Sequence, residues 1–173
     1  MKQKMIKIID NYLTEDKFIE IYKKIHNANF TWVLTKDVNE NCKENDFQFL
    51  HKFVEFGNEL YENSLYVPTE IMRPYCENKK IGITRAKANL FVKTNEEHKK
   101  LGYHIDIEDK NDFYTLILYL EDSDGYTEFE DASMVLSKKN RALIFKANVK
   151  HQTVMQTNTL FRTNININFK EVI

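Results

Sequence analysis

Three residues of this 173-residue chain have the types and spacing to hold a metal ion. The segment Gly102-Tyr103-His104-Ile105-Asp106 places a histidine and an aspartate two positions apart. In an extended strand, residues two apart point to the same face, so His104 and Asp106 can reach one ion. His151 comes much later in the chain. Two imidazoles and one carboxylate on one side of a metal make the facial triad of non-haem iron(II) oxygenases. That arrangement leaves coordination positions open for a bidentate co-substrate and O2. A His-x-Asp triplet arises by chance in many proteins, and a lone histidine is more often a surface or satisfied core residue.

A second pattern adds to the first. From Leu160 to Phe169 the sequence alternates with period two: Arg162, Asn164, Asn166 and Asn168 share one face, and Ile165, Ile167 and Phe169 the other. The plain reading is a sheet with one wet face. The other reading is the interior of a barrel that holds a charged small molecule. Arginine grips a carboxylate through two parallel hydrogen bonds, a geometry lysine does not copy. Arg162 follows His151 by eleven positions.

These residues need a scaffold. From residue 81 onward the chain reads as seven short β-rich segments, at 81–93, 113–120, 126–129, 133–137, 141–145, 151–155 and 160–169, separated by turn-forming stretches such as Asp122-Ser123-Asp124-Gly125. The first part reads differently. A strand is expected at 5–9 and a helix at 15–25, capped by Thr14 and carrying an apolar stripe of Phe18, Ile21, Tyr22 and Ile25. A polar loop is expected at 35–46 and a strand through Phe47, Phe49 and Phe53. A second helix is expected to start near Pro68 and to kink or stop at Pro74. The fold class is therefore mainly β with supporting helices. The expected organisation is one domain over 1–173, with N-terminal support over about 1–80 and a β core over about 81–173.

Composition narrows the function classes. Apolar residues make up 42% and charged residues 29%, and 25 basic against 26 acidic residues leave a net charge of −1, so there is no global basic field for nucleic acid. No apolar run approaches the ~20 residues of a membrane helix, and no secretory signal is seen at the start. The expected location is cytoplasmic, the host cytoplasm if a phage encodes the chain. Cys42 and Cys76 stand at no motif spacing and are expected as free thiols. Lys93, Lys99 and Lys100 suggest a modest basic rim, although a solvated charged loop is the plainer reading.

The chain resembles the 2-oxoglutarate/Fe(II) dioxygenase superfamily, closest to the small prolyl-4-hydroxylase-like oxygenases of phages and marine bacteria. The resemblance runs collinearly through Ile8-Ile9-Asp10-Asn11-Tyr12-Leu13, Lys87-Ala88-Asn89-Leu90, Gly102 to Asp106, Ile117-Leu118-Tyr119-Leu120, Gly125 to Glu130, Asn148 to His151 and Arg162. It implies a double-stranded β-helix, a jelly-roll or cupin-like core. It implies Fe(II) on His104, Asp106 and His151, with His104 and Asp106 ending one strand and His151 coming from the opposite sheet. It implies that Arg162, on the penultimate or last core strand, pairs with the C5 carboxylate of 2-oxoglutarate. Tyr119 would touch the same carboxylate, with Asn89, Asn166 and Thr115 as weaker polar contacts. O2 would be the oxidant, ascorbate a stimulant, and the product a hydroxylated substrate plus succinate and CO2.

Departures limit what carries over. Asn168 stands where alkylation-repair demethylases have a second arginine, which counts against base demethylation. Arg162 stands where collagen-type hydroxylases have lysine, and the usual Gly-Gly before the Thr-x-Phe strand is reduced to Asp124-Gly125-Tyr126. The substrate is not written in the sequence; a peptidyl residue such as proline is the first expectation and a small metabolite the next. Loop 31–46, with Trp32, and segment 93–100 are expected at the site mouth. Two other classes remain: a cupin-like binding module without oxidation chemistry, and a metal-dependent hydrolase or isomerase with the same ligands. Neither needs Arg162.

Overall fold

A computed structural model describes residues 6–36, 41, 46–77, 79–108 and 112–172. Eleven strands and two α-helices are named: β1 (Lys7–Ile9), α1 (Glu15–Ile25), β2 (Val33–Thr35), β3 (Gln48–Glu55), β4 (Asn58–Glu59), α2 (Tyr66–Met72), β5 (Lys80–Val92), β6 (Phe113–Tyr119), β7 (Tyr126–Phe129), β8 (Met134–Leu136), β9 (Arg141–Lys146), β10 (His151–Val154) and β11 (Phe161–Val172).

The large sheet runs β1-β9-β6-β11-β5-β3-β2, with β4 as a hairpin arm on β3, and the small sheet runs β10-β7-β8. Lys100 bridges Val154 and His104 bridges His151, so the segment before Asp106 adds a fourth, irregular strand beside β10. Every pairing is antiparallel. From β5 onward the chain alternates between the sheets. The large sheet takes β5, β6, β9 and β11; the small one takes the 100–104 segment, β7, β8 and β10. That winding is a double-stranded β-helix.

Each element follows from its residues. Thr14 caps α1 by accepting from the Lys17 N–H, Glu15 and Asp16 sit in the first turn, and Lys23 and Lys24 in the last, as the helix dipole favours. The α1 stripe of Phe18, Ile21 and Ile25 is at most 1% exposed, worth roughly 1.5–3 kcal/mol per side chain. It packs on the outer face of the large sheet with Val67, Ile71 and Met72 of α2. Pro68 falls in the first turn of α2, and Pro74 lies in a 3-10 turn over Arg73–Cys76. A proline there lacks the N–H that would continue the α ladder. A second apolar cluster, with Tyr119, Phe129, Leu143 and Phe145, fills the space between the sheets.

Some boundaries differ from expectation. The first strand is Lys7–Ile9, and Met5 lies outside the described residues. Thr35 ends β2 rather than opening a loop. The last strand continues past Phe169 to Val172, because its pairing with β5 runs on to Lys80 beyond a register shift at Asn168/Phe169. Cys76 is a free thiol, and Cys42 lies outside the described residues. Among the described residues no helix is long and apolar enough to cross a membrane.

Candidate metal centre

Strand register builds the site. β11 lies between β5 and β6, and the inward residues of the three strands fall into cross-strand rows. Asn168 pairs with Arg85 and Thr115, Asn166 with Lys87 and Ile117, Asn164 with Asn89 and Tyr119, and Arg162 with Phe91. The alternating polar face of β11 is buried: Arg162, Asn164, Asn166 and Asn168 are each 7% exposed or less. The wet-face reading is therefore excluded. The opposite face, Ile165, Ile167 and Phe169, is fully buried in the main core.

His104, Asp106 and His151 come together over the first of these rows. Each offers a ligand atom, and these atoms lie within 4.8 Å of one another. His104 Nε2 is 4.0 Å from Asp106 Oδ1, and His151 Nε2 is 3.9 Å from Asp106 Oδ2. One expectation is corrected. His151 does not face His104 from the opposite sheet; the two are register partners in one sheet, exchanging backbone hydrogen bonds of 2.9 and 3.0 Å. A non-aligned sheet-to-sheet span is thus replaced by adjacent strands, which sets the rings 4.5 Å apart. Gly102, two residues before His104, is needed where the chain passes close to Asn41. Its φ is +89°, and a Cβ there would meet the Asn41 carbonyl oxygen at 2.7 Å.

The ring orientations fit metal ligation. His151 Nδ1 donates to the Val149 carbonyl at 2.9 Å, and His104 Nδ1 faces the Gly102 carbonyl at 3.4 Å. Each Nε2 is left toward the cluster, as second-shell bonds to metal-binding histidines commonly arrange. Burial, reinforced by His151, pushes His104 down to about 4, so its ring is neutral at neutral pH. Asp106 has a side chain 1% exposed. His151, Arg85 and His104 hold its carboxyl well below the usual carboxylate range, outweighing burial.

Asp106 is fixed by three neighbours from three strands: Thr115 Oγ1 donates to Oδ2 at 2.6 Å, Asn168 Nδ2 to Oδ2 at 3.2 Å, and Arg85 Nη2 to Oδ1 at 3.3 Å. Thr115 was expected beside the co-substrate; its hydroxyl is committed to Asp106 instead. Asn168, the residue that replaces the demethylase arginine, also donates to Thr115 at 2.9 Å.

A cavity of about 30 Å³, room for about one water, is lined by the three cluster residues together with Lys87, Asn89, Asn166 and Gln48, among others. Asn89 donates to Asn164 Oδ1 at 2.8 Å. The Asn89 and Asn166 side-chain oxygens, and Gln48 Nε2, are buried without a partner among the described residues.

Arg162 and Tyr119 lie behind this wall. The Arg162 guanidinium carbon sits 5.2 Å from the centre of the Phe91 ring, which itself lines the cavity. Arg162 is 1% exposed. Its Nη2 donates to the Val154 carbonyl at 3.2 Å, and its Nε has no partner. Among the described residues no carboxylate comes within 4.0 Å of it. Burial pushes its guanidinium down to about 10. Tyr119 shares a hydrogen bond of 2.7 Å with Thr127, and burial pushes its phenol up to about 12.

The expected rim changes most. Lys99 pairs with Asp46 at 2.9 Å and Lys100 with Glu128 at 2.9 Å, so two of its three charges are neutralised. Trp32 packs edge-on against Phe30, away from the cavity wall. Sequence reasoning missed Arg85, Lys87, Gln48 and Phe91. The signal for three of them was the same period-two alternation in β5, Arg85-Ala86-Lys87-Ala88-Asn89-Leu90-Phe91, that was read in β11.

No protein-family model and no curated protein sequence matches the chain. Solved structures do. A 2OG-Fe(II) oxygenase family oxidoreductase from Burkholderia pseudomallei aligns over 95% of this chain and 84% of its own, at TM-score 0.66 and 10% identity. A prolyl hydroxylase from Trichoplax adhaerens, in complex with a hypoxia-inducible factor peptide fragment, aligns over 98% and 84% at TM-score 0.61 and 13% identity. The epimerase SnoN, in complex with Fe3+, alpha-ketoglutarate and nogalamycin RO, aligns over 98% and 80% at TM-score 0.67 and 9% identity. Identities this low speak for fold, and together with the strand order described above they give this chain the double-stranded β-helix fold of the 2OG-Fe(II) oxygenases.

Proposed function

We propose that the chain is a non-haem Fe(II)- and 2-oxoglutarate-dependent oxygenase, acting as one domain over 1–173. The observation that carries this reading is Arg162. A guanidinium buried among Phe91, Tyr119 and the Val154 carbonyl, with no carboxylate within 4.0 Å among the described residues, is costly unless an anion joins it. It lies one wall behind a cluster of two imidazoles and an ionised carboxylate, the donor set suited to Fe(II).

His104, Asp106 and His151 would hold the iron. Bound iron with 2-oxoglutarate and O2 would supply the oxidising power, coupled to decarboxylation of the co-substrate. Thr115, Asn168 and Arg85 keep Asp106 ionised and fixed in direction. The carbonyls of Val149 and Gly102 select the tautomers that leave Nε2 available. Arg162 binds the distal carboxylate of 2-oxoglutarate, with the Tyr119 phenol beside it, and Asn89 and Asn166 offer side-chain contacts along the way. The cavity must open as the co-substrate enters, and Phe91, between cavity and guanidinium, is the side chain in the path. The oxidised substrate is a peptidyl residue such as proline or a small metabolite, and its hydroxylation is the reaction proposed. A cupin-like module binding metal alone gives no reason to bury Arg162 in this way.

The test is succinate formation from 2-oxoglutarate by Fe(II)-loaded protein in air, with and without Asp106→Ala. We expect slow succinate formation by the wild type and none by the variant. Iron-loaded wild type that neither binds 2-oxoglutarate nor forms succinate would overturn the proposal.

A further inference from the structure

The cavity wall carries a cationic side chain, Lys87, that the proposed chemistry does not use. Lys87 lines it beside the metal cluster and makes no hydrogen bond or ion pair among the described residues. It is half-buried in the middle of β5, in register with Asn166 of β11 on one side and Lys52 of β3 on the other. Lys52 is committed to Glu55 at 2.6 Å and Arg85 to Asp106 at 3.3 Å. Burial, with Arg85 and Lys52 nearby, pushes the Lys87 ammonium down to about 8 against the pull of Asp106. The nearest candidate counter-charge, Asp106, already accepts from three donors.

One further donor on the same wall lacks a partner among the described residues: the Gln48 side-chain N–H2, on a residue 3% exposed. An uncommitted ammonium with an unpartnered amide N–H2 on the same wall is a built site for a carboxylate, since a charge-assisted hydrogen bond satisfies both groups. The co-substrate does not need it. On the reading above, Arg162 takes one carboxylate of 2-oxoglutarate and the metal takes the other. Lys87 is left over.

We infer that Lys87 anchors a carboxylate of the primary substrate, so that the substrate carries an anionic group close to the carbon that is oxidised. The inference rests on the oxygenase reading for the identity of the site, but the subsite itself can be tested without turnover.

The probe is formate, the smallest carboxylate. Protein carrying 13Cε-labelled lysine is loaded with Zn(II), a diamagnetic substitute for iron, and followed by NMR, with the Lys87 signal assigned by its loss in Lys87→Met. 2-Oxoglutarate is added to saturation first, and formate second. The expected result is a saturable shift of the Lys87 signal on formate. Formate affinity, read by calorimetric titration in the wild type and both variants, should fall about tenfold or more in Lys87→Met and stay within a few-fold in Lys87→Arg. Should 2-oxoglutarate alone move the signal and formate then add nothing, the carboxylate served is the co-substrate's and the inference is overturned. It is equally overturned if formate moves nothing. If the wild type binds no 2-oxoglutarate, the oxygenase reading fails, while the formate titration of the Zn(II)-loaded protein still decides the subsite. In turnover, a compound that stimulates succinate formation should bear a carboxylate, and its carboxamide should lose about tenfold or more in kcat/KM with the wild type. Stimulation by a neutral compound, undiminished in Lys87→Met, contradicts the inference.

Discussion

Replacing Arg162 with methionine should separate ligand binding from folding, because among the described residues no carboxylate comes within 4.0 Å of its guanidinium. Methionine keeps most of the length and the apolar contact with Phe91, and it loses the charge and one hydrogen bond to the Val154 carbonyl. An uncompensated buried charge is removed, so stability without ligand should be unchanged or higher. With 2-oxoglutarate the sign reverses. At a concentration one hundred times its dissociation constant, the co-substrate should stabilise the metal-loaded wild type by about 2.7 kcal/mol. For a chain of this length that is a rise of about 5–11 °C in Tm. Losing one partner of a desolvated charge pair costs roughly 2–5 kcal/mol, or about thirty-fold to several thousand-fold in affinity. At the same concentration the variant should then keep only about 0.9 kcal/mol or less, a rise of about 3 °C or less. Thermal denaturation of Zn(II)-loaded wild type, Arg162→Met and Arg162→Lys, each with and without 2-oxoglutarate, reads both effects. Arg162→Lys should fall between the others, since it keeps the charge without the two-pronged geometry. A ligand-dependent rise as large in Arg162→Met as in the wild type would refute the reasoning.

Other outcomes follow from the same geometry. His104→Ala, Asp106→Ala and His151→Ala should each abolish tight iron binding with the fold retained, as read by metal titration and circular dichroism; retention of iron by Asp106→Ala would sink the cluster assignment. Thr115→Val removes the shortest bond to Asp106 and should weaken metal affinity about 10–100-fold without touching the ion. Gly125→Ala would set a Cβ 3.0 Å from both Arg162 Cζ and the Gln156 backbone nitrogen; we expect a loss of about 1–3 kcal/mol in stability and weaker 2-oxoglutarate binding, measured by denaturation and calorimetry. The metal-free protein should lose stability as pH falls through the window from 6.5 to about 4, because the folded state holds His104 neutral while the unfolded chain takes up a proton. The loss attributable to this group is roughly 3 kcal/mol. His104→Asn should flatten that part of the profile, and an unchanged slope would remove His104 as its cause.

Much of this was legible in the sequence because it is local. The helix at Glu15–Ile25 follows from a cap, an apolar stripe and charges placed along its dipole, all within the stretch from Thr14 to Ile25. The alternation in β11 marked Arg162, Asn164, Asn166 and Asn168 as one face, and strand geometry alone makes that so. The His-x-Asp spacing, the later histidine and Arg162 likewise named a candidate set. What alternation does not say is which face is wet. Asn164 and Asn166 read equally well as solvent-facing or interior, and the decision fell to the small sheet that covers them. Nor does the sequence give register. That Asn168 meets both Arg85 and Thr115, so that all three reach Asp106, depends on β11 lying between β5 and β6, strands brought there from 83 and 53 positions away. The same non-local pairing put His104 beside His151 in one sheet, moved Thr115 from the co-substrate to the aspartate, and set Phe91 between the cavity and Arg162. It also left Lys87 without a hydrogen-bond or ion-pair partner among the described residues. Residue types and short spacings determine which groups a chain has to offer. Which of them end buried, and which are satisfied there, is settled only when distant strands pair, since burial and hydrogen bonding are properties of neighbours.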